Sequence, residues 1–373
     1  MNGAFETGLY PSLLVKAGLD DAAVSAWIQS TFETMFFDPE ERIYRDVDPD
    51  SGCLEDTGNH DARTEGMSYG MMMCVQMDRQ ELFDKLWCFS KRYMLQTSGV
   101  YQGYFAWSVR LDGAHNAEGP APDGEEYFAM ALLMAEARWG SGRFDYGADA
   151  REILRHVLHQ AEIVPGGQPM WDPATHHIKF VPEADFTDPS YHLPHFYQLF
   201  ALRADAEDRP FWQAACDASR RYIVRSAHPA TGLSPEYAEH DGTPRLMFRK
   251  PWAYYSDAYR VAMNIALDSL WFGERPEYRK IALNLQRFLA GQLPEERYRA
   301  YALDGTPFEE PAMHPTAITA TCAASCLAGW GENSQMWLNR FAALPPRKGG
   351  RRYYDNCLYF FCLLMLGGRY KIY

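Results

Sequence analysis

The sequence predicts an all-helical (α/α)6 barrel, and three observations carry that expectation. Helical periodicity recurs with almost no strand text between the runs. The runs number about twelve. Their character alternates between helices apolar on nearly every face and helices with one apolar stripe, which suits six inner and six outer elements.

In chain order the runs fall near 20–37, 65–78, 80–95, 124–139, 147–163, 189–204, 208–227, 255–273, 276–292, 314–329, 333–343 and 353–366. The first has Asp20 and Asp21 ahead of AAVSAWIQSTF, a capped start. EGMSYGMMMCVQMD is small or apolar all round and reads as buried on both sides, whereas the following RQELFDKLWCFSKRYML is amphipathic. Pro276-Glu277 opens YRKIALNLQRFLAGQL in the same favourable way. No crisp repeat period relates the pairs, so identical solenoid units are not expected.

Between the inner-type helices lie longer Gly-, Pro- and Tyr-rich segments at 38–64, 100–123, 164–188, 228–254 and 300–313. YFAWSVRLDG and HHIKFVP within them alternate and predict small hairpins at one rim. No low-complexity linker interrupts the chain, so residues 1–373 read as one catalytic domain. Long structured loops gathered at one end of a barrel are where function is expected.

The chain has 373 residues and a formal net charge of −13, with 47% hydrophobic and 23% charged side chains. That is a folded, soluble composition, and its acidity disfavours phosphates and anionic lipid as partners. No nucleic-acid or membrane partner is therefore expected. The longest apolar run, Cys357 to Leu366, is far shorter than the ~20 residues of a spanning helix. The N-terminal text lacks a basic segment followed by an apolar one, so a cytoplasmic location is expected. The cysteines agree: Cys74, Cys88, Cys216, Cys322, Cys326, Cys357 and Cys362 sit in apolar helical text and read as reduced. Cys322 and Cys326 share a helix face, but no second pair completes a metal site, and no cofactor is expected. His192 and His195, spaced i,i+3 on a predicted helix, and the adjacent His176 and His177 read as core or loop histidines.

Aromatic residues crowd the loops. Tyr101, Tyr104, Phe105, Trp107, Trp171, Trp252, Tyr254 and Tyr255 offer flat faces for sugar rings, although most such residues serve packing. Three acids stand at helix entrances: Glu65, Asp123 and Asp257. Each alone is explained by favourable charge at a helix N-terminus. Together they match the need of glycoside hydrolysis for one protonated carboxyl and one carboxylate.

These segments resemble glycoside hydrolase family 8. Arg63 and the string Glu65-Gly66-Met67-Ser68-Tyr69-Gly70-Met71 are similar to its acid-bearing helix. Ala121-Pro122-Asp123-Gly124-Glu125 resembles its A-[ST]-D-[AG]-D signature, departing at Pro122 and Glu125. Ser256-Asp257-Ala258-Tyr259-Arg260 resembles its Asp-Ala-x-Arg segment, and Asp188-Pro189-Ser190-Tyr191 a further one. The resemblance runs from about residue 25 to the C-terminus.

It implies an inverting β-1,4-glycan hydrolase on an (α/α)6 barrel, with Glu65 as general acid and Asp257 as general base. Asp123 would hold the ring at subsite −1, with Tyr191 beside the reacting sugar. Arg63, Arg260, Tyr255 and Trp107 complete the expected substrate contacts, Trp107 at a minus subsite. Met313-His314-Pro315-Thr316 is similar to the Leu-His-Pro-Ser loop of members that release xylose from the reducing end of xylo-oligosaccharides. There His314 would bond the reducing-end hydroxyl. Alternatives are an endo-acting xylanase or glucanase with an open cleft, and a non-catalytic glycan-binding barrel. One tension follows: a helix N-terminus lowers a carboxyl pKa, whereas a general acid needs it raised. Desolvation among Met67, Tyr69 and the aromatics, with Asp123 nearby, must outweigh the dipole.

Overall fold

Six helices form a closed inner ring: α4 (Thr64–Gln76), α6 (Pro122–Trp139), α8 (Pro194–Arg203), α10 (Arg260–Phe272), α12 (Pro315–Ala324) and α14 (Arg352–Leu366). Each packs on the next, and α14 returns to α4. The computed structural model describes residues 2–248 and 250–373. Two single-turn helices, α1 (Ala4–Thr7) and α2 (Leu13–Lys16), precede the barrel. The outer layer comprises α3 (Asp21–Phe37), α5 (Gln80–Phe89), α7 (Tyr146–Ile163), α9 (Arg209–Ser226), α11 (Pro276–Ala290) and α13 (Ser334–Ala343). The architecture is the (α/α)6 barrel.

Sequence character decides the layer. Every residue of α4 except Glu65 is buried, as its unbroken small and apolar text requires. Outer α11 buries Tyr278, Ile281, Ala282, Leu285, Gln286 and Leu289, a single stripe at three- and four-residue spacing. Inner helices approach closely where glycine permits: a side chain at Gly124 of α6 would overlap Thr64 of α4.

The two ends of the barrel differ. Connections from inner to outer helices are short, such as 77–79, 204–208 and 273–275, whereas 38–63, 95–121, 164–193 and 227–259 are long. The long ones all lead into N-termini of inner helices. Together with 291–314 they hold the strands: β1 (Tyr44–Asp48) with β2 (Ser51–Leu54), β3 (Asp61–Arg63) with β4 (Ser108–Arg110) and β5 (His115–Ala117), and β6 (Arg299–Tyr301) with β7 (Pro307–Pro311).

Several expected boundaries shift. The run expected at 189–204 is a 3-10 turn, Pro189–Tyr191, followed by α8, because Pro194 disfavours helical backbone at Leu193. His192 and His195 therefore do not share one helix. The run at 255–273 likewise divides into a 3-10 turn, Ser256–Tyr259, and α10. YFAWSVRLDG supplies β4 and its turn as expected. HHIKFVP forms only an isolated bridge, Trp171 to Ile178. Its start is a tight turn, with Asp172 accepting from the N–H groups of Ala174 and Thr175 and His176 at φ 60°.

All eight cysteines are free and buried. Among the described residues no helix is long and apolar enough to cross a membrane. Nor do three His, Cys, Asp or Glu side chains among them cluster as metal ligands would.

Candidate active site

The inner helices point their N-termini at the rim that carries the long loops, and the candidate residues stand on those first turns. Glu65 is the second residue of α4 and Asp123 the second of α6, behind Pro122, which suits the first helical position. Asp257 lies in the turn that leads into α10, whose first residue is Arg260. His314 precedes Pro315 at the start of α12, and Tyr353 and Asp355 open α14.

Arg260 organises the acids. Its Nη1 donates to Asp123 Oδ2 at 2.8 Å, to the Tyr69 hydroxyl at 3.1 Å and to Glu65 Oε2 at 3.2 Å. Its Nη2 pairs with Asp257 Oδ1 at 3.2 Å. The guanidinium is 3% exposed and lies over the Tyr191 ring at 5.4 Å. One rigid cation thus fixes three carboxylates from three helix entrances and holds Glu65 and Asp257 apart across its two terminal nitrogens.

Glu65 also accepts from the Tyr353 hydroxyl, at 2.9 Å to Oε1. Burial pushes its carboxyl up to about 7; Arg260 pulls the other way, and the charges of Asp123 and Asp257 add to the rise. Desolvation therefore outweighs the pull of Arg260 and of the Tyr353 hydrogen bond here. Burial raises Asp123 too, against the pull of Arg260.

Two polar cavities meet at this cluster. The smaller, about 110 Å³, is bounded by Trp107, Asp123, Tyr191 and Arg260. The larger, about 220 Å³, is bounded by Asn59, Glu236, Tyr237, Ser256, His314 and Tyr354 among others. Arg63, Glu65 and Asp257 line both. The acid pair marks their junction. A third cavity, about 390 Å³, lies away from this rim beside Leu9, Leu13, Leu270 and Trp330 and is mainly apolar.

At the far side of the larger cavity, His314 is fixed from behind. Its Nδ1 lies 2.9 Å from Oδ2 of the fully buried Asp355. Asp355 also accepts from the Ala317 N–H at 2.8 Å and from Arg347. An ionised carboxylate only accepts, so Nδ1 carries a proton and Nε2 is left for the cavity. The neighbouring Met313 Sδ lies 3.8 Å from Arg351 Nη1, and the Arg351 stem packs beside Gly58. Met313, His314 and Arg351 thus stand together in the wall of the larger cavity.

Of the residues expected from sequence, Glu65, Asp257, Asp123, Arg63, Arg260, Trp107, Tyr191 and His314 all line one or both cavities. Arg63 lies 5.2 Å over the Trp107 ring and pairs with Asp56 and Asp61, which orients it along the junction. Tyr255 lines neither cavity: its ring packs between Trp252 and Lys250, and its hydroxyl faces Glu310 and the Pro311 carbonyl. Tyr104, Phe105, Trp171 and Tyr254 are core residues. Residues missed from sequence are Tyr353, Tyr354, Asp355, Glu236 and Asn59. The first three stand in YYD at an inner helix entrance, the same signal that singled out Glu65.

The family model Glycosyl hydrolases family 8 matches residues 7–368. The chain is 49% identical over 379 residues to the reducing-end xylose-releasing exo-oligoxylanase Rex8A of Paenibacillus barcinonensis, covering 100% of this chain and 98% of that one. It is 44% identical to the reducing end xylose-releasing exo-oligoxylanase of Bifidobacterium adolescentis, with 100% of each covered. The structure superposes on Rex8A complexed with xylose with a TM-score of 0.97 at 48% identity, over 100% of this chain and 99% of that chain. A Rex8A variant complexed with an arabinofuranosyl-xylotetraose superposes equally well, again at 0.97. With the helix ring, the acid cluster and a match spanning nearly the whole chain, this protein belongs to glycoside hydrolase family 8 and is a glycoside hydrolase.

Proposed function

We propose that the protein releases xylose from the reducing end of β-1,4-xylo-oligosaccharides, with inversion. The observation that carries this reading is the meeting of two polar cavities at Glu65 and Asp257, one of them with His314 and Met313 in its wall. Glu65, protonated near neutrality through its burial, gives its proton to the departing glycosidic oxygen. Asp257 takes a proton from water as that water attacks the opposite face of the sugar. Asp123 and Arg260 hold the ring on the side of Trp107 and Tyr191. His314 Nε2 bonds the anomeric hydroxyl of the departing xylose.

Relatives that carry this activity in their names match the chain end to end. An endo-acting enzyme needs an open cleft, and the contact between Met313 and Arg351 opposes one. A glycan-binding barrel has no use for an acid raised to about 7. Residues 1–373 act as one catalytic domain on this reading, supported by one core that runs from Leu13 to Tyr370. Eight free buried cysteines suit the reducing cytoplasm, where small imported oligosaccharides would be trimmed.

The test is a comparison of substrates. Xylotriose should yield xylose and xylobiose, while polymeric xylan should be nearly inert. Rapid mid-chain cutting of xylan would overturn the reading in favour of the endo-acting alternative.

A further inference from the structure

Glu236 has no assigned part in the chemistry above, yet it stands where a departing sugar would lie. It belongs to the long connection between α9 and α10, the same one that carries Asp257. Its N–H donates to the Ala253 carbonyl at 2.7 Å, so the two limbs of the connection run side by side, and Ala238 pairs with Thr187 of the connection between α7 and α8. This places the Glu236 carboxyl in the wall of the larger cavity beside Ser256 and Asp257 and in company with His314.

The carboxyl is buried, 5% exposed, and among the described residues no donor reaches it. Its nearest cation, Lys250, is 3.9 Å away, beyond hydrogen-bond distance. Two other buried acids of this chain, Asp355 and Asp268, are satisfied by the protein. Asp355 accepts from His314, Arg347 and Ala317, and Asp268 pairs with Arg220 and Arg275. A buried acceptor left without a protein donor is costly unless something else supplies one. The groups that face it are Asp257, Lys250 and Arg260; burial and the Asp257 charge push its carboxyl up to about 7, with Lys250 and Arg260 opposing. Ionised or protonated, it keeps acceptor capacity towards the cavity.

We propose that Glu236 is a specificity-determining residue of the leaving-group cavity, accepting hydrogen bonds from ring hydroxyls of the departing xylose. This rests on the xylose-releasing reading, in which that cavity holds one sugar. A carboxyl accepts from two neighbouring hydroxyls of a pentose as it does from paired N–H donors, and each such bond fixes the ring's orientation. Glu236 and His314 would then read the same sugar from two elements, the hydroxyls on one side and the anomeric position on the other.

The experiment compares Glu236→Ala and Glu236→Gln on two substrates with the same xylobiosyl donor. Xylotriose places a xylose in the leaving-group cavity; β-xylobiosyl fluoride places none there. With Glu236→Ala, kcat/KM on xylotriose should fall by about 10- to 100-fold, the loss of a hydrogen bond to a charged group, while fluoride hydrolysis stays within about threefold. Glu236→Gln keeps one acceptor and should fall between. Retained fluoride hydrolysis also shows that the variants fold. Equal losses on both substrates would overturn the proposal and make Glu236 a support for Asp257. Unchanged xylotriose kinetics would overturn it as well. If the unmodified protein fails to take xylose from xylotriose, the functional reading itself falls, and that outcome precedes any variant.

Discussion

The Tyr353 hydroxyl donates to Oε1 of Glu65 at 2.9 Å, tying the first turn of α14 to that of α4. It reaches there because residue 66 is glycine: a Cβ at Gly66 would overlap the Tyr353 ring and hydroxyl. The bond favours the ionised form of Glu65 and so opposes the rise that burial causes. Tyr353→Phe should therefore raise the Glu65 pKa further and move the alkaline limb of the kcat/KM profile to higher pH. The acid is also less well aimed, so kcat should fall about tenfold, within the range of general-acid effects. Gly66→Ala should act in the same direction by displacing Tyr353. An unmoved alkaline limb in both variants would separate Tyr353 from the acid.

Removing a negative charge shifts the same limb the other way. The charge of Asp123 raises the Glu65 pKa, and Arg260 then has one acid fewer to neutralise. Asp123→Asn should lower the Glu65 pKa, so activity is lost at lower pH as the acid deprotonates earlier. The position of the limb, not the rate, is the readout, because Asp123 also contacts the sugar in the proposed mechanism. A limb that stays in place or moves up would contradict the coupling.

Acid and base are separated by leaving group. Glu65→Gln should cost about 10²- to 10⁴-fold on xylotriose and far less on a glycosyl fluoride, whose leaving group needs no protonation. Asp257→Asn should impair both, because water must still be activated. Equal losses for Glu65→Gln on the two substrates would reduce Glu65 to a helix-entrance charge.

Much of this was legible in the sequence, for physical reasons. EGMSYGMMMCVQMD has no polar stripe, and only a helix buried on both sides tolerates that, so the inner ring could be read directly. Glu65, Asp123 and Asp257 stood out as acids at the entrances of such helices, and the structure brings them to one guanidinium. Arg260 as their common partner was not legible, because its contacts join three distant segments. Asp355 was hidden too: its role comes from His314, 41 positions away, and only the ring of helices makes them neighbours. Tyr255 went the other way. Its sequence neighbours suggest the cleft, but the turn Ser256–Tyr259 carries Asp257 inward and leaves Tyr255 packed on Trp252.

The end wall makes a further prediction. On the proposed mechanism His314→Ala removes the contact to the anomeric hydroxyl and opens space beyond one sugar, so longer leaving groups should be accepted. Xylotriitol, whose reduced end misdirects that contact, should be a poor substrate of the unmodified protein, by about 1–3 kcal/mol in kcat/KM. His314→Ala should narrow the gap between xylotriose and xylotriitol. A gap that persists unchanged in the variant would move the recognition elsewhere.

The most direct test of the central claim is hydrolysis of xylotriose carrying ¹³C at its reducing-end C1, followed by NMR from the first minutes. Release of xylose from the reducing end places all label in the monosaccharide, and inversion makes the new end of the unlabelled xylobiose appear first as the α-anomer. Label in xylobiose, or a β-anomer as the first product, would contradict the account.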